Sequence, residues 1–144
     1  MKICGIELKS NYTVLTLVDF NCDTKNVEYI DLKTKKITLE DDENQNSLIS
    51  YKEELNTFFT ENEVEKVLIK KRAKKGNFSG GAVTFKMEGI IQLYTKAEVS
   101  LISAQSISSY ERKNEIQIPS KLKKYQEQSY LAILWACTIN NYEK

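Results

Sequence analysis

Short apolar runs broken by polar clusters open the chain, and their spacing predicts strands before any helix. Ile3 to Leu8 and Tyr12 to Phe20 are β-rich and are split by Lys9-Ser10-Asn11, a cluster of hairpin length in which Asn11 can take a positive φ. Val27 to Leu32 partly alternates, as a half-exposed strand at a sheet edge does. Ile37-Thr38-Leu39 then leads into the acidic stretch Glu40-Asp41-Asp42-Glu43. Beyond it Leu48, Tyr51, Leu55, Phe58 and Phe59 recur at intervals of three and four, which predicts a helix from Asn46 to Thr60 with the acids near its positive end.

Val64 to Ile69 reads as a compact strand running into Lys70-Lys71-Arg72-Ala73-Lys74-Lys75, a concentrated basic run. Gly76 to Gly81 breaks the chain, and Ala82, Phe85, Met87, Ile90, Ile91 and Tyr94 restore helical periodicity. Glu98 to Ile102 predicts a further strand, Ser103 to Ser120 a loop with a short helix around Ile107 to Arg112, and Lys121 to Ile139 a long final helix. The order βββ-α-β-α-β-α implies an α/β fold. Strands joined by a crossing helix lie parallel and the opening meander lies antiparallel, giving a mixed five-stranded sheet with helices on both faces.

Composition narrows the chemistry. The chain of 144 residues is expected to be one domain, residues 1–144. It carries 21 basic and 20 acidic side chains, a net charge of +1, so affinity for a polyanion must come from a local patch. Histidine is absent, which excludes Ser-His and Cys-His catalysis and the commonest transition-metal ligand. Cys4, Cys22 and Cys137 lack C-x-x-C spacing, and reduced thiols in a cytoplasmic protein fit best. A charge at Glu7 after only four uncharged residues comes too soon for a signal peptide, and no apolar run approaches the ~20 residues of a membrane span.

Several strings together resemble those of small bacterial proteins forming the domain-of-unknown-function family numbered three thousand and ten, within the ribonuclease H-like superfamily. They are Cys4-Gly5-Ile6-Glu7-Leu8-Lys9, Leu39-Glu40-Asp41-Asp42-Glu43, Lys75-Gly76-Asn77-Phe78-Ser79-Gly80-Gly81-Ala82-Val83, Phe85-Lys86-Met87-Glu88 and Tyr125-Gln126-Glu127. The resemblance implies a ribonuclease H-like fold and a distant kinship with resolvases that cut branched DNA. In those enzymes carboxylates from the first strand, the fourth strand and the last helix hold Mg²⁺ or Mn²⁺. Two such ions roughly 3.5 to 4 Å apart activate water and stabilise the leaving oxygen, and hard cations want oxygen ligands. Carried onto this chain, the resemblance makes Glu7 and Glu127 the catalytic and metal-ligating candidates. The fourth-strand position falls on Lys71, a cation that cannot ligate a metal.

Three functional readings follow. The first is nucleic-acid binding, to DNA or RNA, through Lys70, Lys71, Arg72, Lys74, Lys75 and Lys86, with Phe78 stacking on an unpaired base beside a degenerate acidic site. The second is a divalent-metal-dependent nuclease. The third is a protein-interaction module or homodimeric scaffold. Each has a plainer alternative: Glu7 shares a strand face with Ile3 and Gly5 that can simply meet solvent, the basic run can be a solvated turn, and Glu88 and the acids at 40–43, which could supply further metal ligands, can be plain surface charge. Trp135, Cys4 and Cys137 read as core.

Overall fold

The computed structural model describes residues 1–74 and 81–139. In chain order the elements are β1 (Lys2–Lys9), β2 (Tyr12–Phe20), β3 (Val27–Ile30), β4 (Lys36–Thr38), α1 (Gln45–Glu61), β5 (Lys66–Lys70), α2 (Ala82–Gln92), β6 (Glu98–Ile102), α3 (Ala104–Lys113) and α4 (Glu127–Ile139), the last entered through a single 3₁₀ turn at Lys124–Gln126. The strands form one mixed sheet in the order β3-β2-β1-β5-β6. β1 and β2 are antiparallel, whereas β1, β5 and β6 run parallel. The expected five strands become six, because β4 pairs with the start of β2 while β3 pairs with its end. A strand of only three residues is too short to announce itself by alternation.

Alternation along the strands splits the core into two layers. Cys4, Ile6 and Leu8 of β1 face Tyr51, Leu55 and Phe59 of α1 and Met87 and Ile91 of α2. On the opposite face Ile3, Val18, Phe20 and Leu68 pack against Ile107 of α3 and Tyr130, Leu131 and Ile133 of α4. Each large apolar side chain so buried contributes roughly 1.5–3 kcal/mol. Trp135, expected in the core, lies half-buried at the margin of the second layer.

Local chemistry explains where the elements differ from expectation. In the first hairpin Ser10, at φ 47°, takes the left-handed conformation rather than Asn11. Asn11 instead clips the chain after β4: its amide donates to the Leu39 carbonyl, and its own carbonyl accepts from Leu39 N. α1 begins behind Asn44, whose side chain accepts from Ser47 N at 3.1 Å, so the acids at 40–43 precede the cap and none lies in the first turn. α4 starts later than expected because the Gln126 side chain is turned into the sheet. Its amide donates to the Leu15 carbonyl and to Thr16 Oγ1, while its oxygen accepts from Lys123 N.

α4 lies close on the sheet where β1 has no side chain. A Cβ at Gly5 would sit 2.2 Å from the Ser129 carbonyl oxygen and 2.9 Å from Ile133 Cγ1. The Ser129 hydroxyl meets Thr16 Oγ1 at 2.6 Å in the same contact. Among the described residues no helix is long and apolar enough to cross a membrane.

Candidate functional site

Glu7 lies near the C-terminal end of β1, on the same face as Gly5. That face is covered by α4 rather than open to solvent, and Glu7 is only 5% exposed. A buried carboxylate is costly unless its charge is matched. Here two lysines match it: Glu7 Oε2 lies 3.5 Å from Lys70 Nζ and Oε1 lies 3.6 Å from Lys9 Nζ. The Lys70 ammonium also donates to Gln128 Oε1 at 2.9 Å, tying the end of β5 to the first turn of α4. Among the described residues Oε1 of Glu7 is left with an ion pair and no hydrogen-bond partner.

The register sets which basic residue meets Glu7. Ile6 pairs with Ile69, so Lys70, not Lys71, stands beside Glu7 at the end of the strand. Lys71 follows the strand, exposed, with its backbone N–H bonded to the Ile102 carbonyl. Glu127, the other expected ligand, is the first residue of α4. It is half-buried and next to the Gln128 that holds Lys70, and among the described residues it makes no ion pair.

These residues do not fit Mg²⁺ or Mn²⁺. Hard cations take sets of oxygen ligands, yet among the described residues no group of three or more His, Cys, Asp or Glu side chains converges to hold an ion. The one buried carboxylate at the strand ends already has an ammonium on each oxygen. Two like unit charges at about 4 Å repel by roughly 4 kcal/mol at an effective dielectric of ~20, and a dication doubles that.

The remaining candidates separate. Lys71 and Lys74 are exposed and Arg72 is half-buried; with Ser103 and Gln105 they border a shallow groove, and Arg72 Nε is buried with no hydrogen-bond partner among the described residues. Lys86, expected at the same interface, is bound to Asp42: its ammonium lies 3.1 Å from Oδ2 and donates to the backbone carbonyl at 2.7 Å. The acidic stretch at 40–43 thus has a partner in α2. Lys75 and Phe78 lie outside the described residues.

Glu88 on α2 is not plain surface charge. It is 7% exposed, and its Oε2 is buried with no hydrogen-bond partner among the described residues. Burial raises its pKa above the ordinary carboxylate range, while the charges of Lys74 and Lys71 pull it partly back. Cys4 and Cys137 are buried free thiols, and burial raises both pKa values, which makes them poor nucleophiles.

Sequence reasoning missed Lys9 and Gln128. Lys9 follows Glu7 by two, the spacing that puts both on one strand face, and that signal was available. Gln128 reaches the site only through tertiary packing.

The fold is shared with solved structures. Thermus thermophilus RuvC superposes with a TM-score of 0.69 at 9% identity, covering 98% of each chain. T. thermophilus RuvC in complex with a Holliday junction substrate gives 0.65 at 10% identity, again covering 98% of each chain. The fowlpox virus resolvase bound to substrate Holliday junction DNA gives 0.59 at 14% identity, covering 96% of this chain and 97% of that one. The architecture is therefore the ribonuclease H-like fold of these resolvases. No curated protein sequence matches the chain. A family profile described as "Protein of unknown function (DUF3010)" matches residues 1–138, and the chain belongs to that family.

Proposed function

We propose that this protein binds nucleic acid on a resolvase-like scaffold and does not cut it by metal-assisted hydrolysis. The observation that carries the reading is the Lys70 ammonium 3.5 Å from Glu7 Oε2. Hydrolysis by two metals needs carboxylates converging from separate elements. Here β5 contributes a cation, and Glu7 is neutralised from within the chain. The resolvases that share this fold were solved with Holliday junction DNA. The exposed Lys71 and Lys74 with Arg72 at the end of β5 supply the local positive charge that net composition withholds, and open α/β sheets place ligands at that end of their strands.

Fluorescence anisotropy on a labelled four-way DNA junction, run beside a cleavage assay in Mg²⁺ or Mn²⁺, tests this. Binding that weakens steeply between about 50 and 200 mM salt is expected, as phosphate contacts release counterions, together with no metal-dependent cleavage. Lys71→Gln/Lys74→Gln is expected to lower the log–log salt slope by about 2. Cleavage that requires metal and disappears in Glu7→Gln would contradict the reading.

A further inference from the structure

A second basic surface is invisible as a charge run because two distant segments build it. Lys33, Lys35 and Lys36 precede or open β4, and Lys121, Lys123 and Lys124 precede α4. The fold joins them. Lys35, Lys121, Lys123 and Lys124 border one shallow pocket with Asp31 and Ser120. Asp31 is its single acid, and it is already paired with Lys35 at 3.2 Å. Lys33, Lys121, Lys123 and Lys124 are exposed, and none of them forms an ion pair among the described residues.

Lys36 links this surface to the site. It pairs in register with Val14 of β2, and Val14 pairs with Glu7 of β1. Directly paired residues share a sheet face, so Lys36 emerges on the α4 side, in one cross-sheet row with Glu7. There its ammonium lies 4.2 Å from the ring centre of Tyr125 and 5.1 Å from that of Tyr12. Cation–π contact at such distances holds an ammonium by its charge and leaves N–H donors free for an anion.

The placement relative to Glu7 is informative. Lys71, Arg72 and Lys74 continue from β5, on one side of β1, while Lys36 lies on β4, beyond β2 on the other side. Like charges crowded without acids repel one another, a cost that a bound polyanion removes.

We infer that Lys36, Lys121, Lys123 and Lys124, with Tyr125, form a second phosphodiester-binding surface. It takes a nucleic-acid segment leaving the Glu7 corner on the β2 side, opposite the segment held by Lys71 and Lys74. This rests on the nucleic-acid reading above. A ligand gripping both surfaces must span the sheet across β1, which suits a branched or bent nucleic acid better than a short straight duplex.

The test compares wild type with Lys121→Gln/Lys123→Gln/Lys124→Gln, all exposed positions, and with Lys71→Gln/Lys74→Gln. Affinity for a labelled four-way junction and for a short linear duplex is measured across a salt series. The triple variant is expected to lose roughly tenfold or more in junction affinity at about 0.1 M salt, and to lower the log–log salt slope by about 2 to 3. Its loss on the short duplex is expected to be smaller. If the triple variant matches wild type on the junction while Lys71→Gln/Lys74→Gln is weakened, the second surface is refuted and the nucleic-acid reading stands. If wild type binds neither ligand, both fall.

Discussion

Glu88 carries the clearest single-residue consequence. Its carboxyl is buried with one oxygen unpartnered among the described residues, and burial raises its pKa while Lys74 and Lys71 oppose the rise. A carboxyl with a raised folded-state pKa binds its proton more tightly in the native state than in the unfolded chain. Stability from this group is therefore present at low pH and falls as pH rises from the ordinary carboxylate range through the folded-state pKa. Glu88→Gln is expected to melt higher than wild type at pH about 8, with the gap closing toward pH about 4. Thermal melts of both proteins across pH check this, and a constant gap would sink the assignment. The burial of Glu88 was not legible from its charged string Lys86-Met87-Glu88, because that string says nothing of what α2 packs against. Glu7 was legible as the one carboxylate of an otherwise apolar strand, but its burial was not, because alternation alone allows its face to meet solvent. That Lys70 is the residue beside it follows from the pairing of Ile6 with Ile69, a register that the pattern of a short strand does not fix.

At the scale of elements, the close approach of α4 to β1 organises the site. Gly5 lets the backbone of the first α4 turn come near β1, and that turn carries the Gln128 that holds Lys70. Gly5→Ala would press a methyl group against a backbone carbonyl that cannot swing aside. Overpacking of this kind costs roughly 1–3 kcal/mol and occasionally more. A loss of about 3 kcal/mol, read by urea denaturation, is expected, together with weaker junction binding as the helix start shifts. Unchanged stability would mean that α4 does not lie where described. α1 and α2 were legible from the helical spacing of their apolar residues, whereas α3, which buries only Ile107, was expected as a shorter helix within a loop. β4 and the late start of α4 were not legible, since one is three residues and the other depends on Gln126 turning into the sheet.

At the scale of the molecule, a net charge of +1 conceals a surface with two basic regions either side of one neutralised carboxylate. Only the region at 70–75 was visible as a run; the other needs β4 and the segment before α4 to meet in space. The central claim is that an internal cation stands beside Glu7 where a metal site would need a carboxylate. Calorimetric titration of Mn²⁺ into wild type and into Lys70→Glu tests it most directly. The account predicts no Mn²⁺ binding by wild type and measurable binding by Lys70→Glu, which removes the repelling ammonium and adds an oxygen ligand. Mn²⁺ binding by wild type that is lost in Glu7→Gln would contradict it.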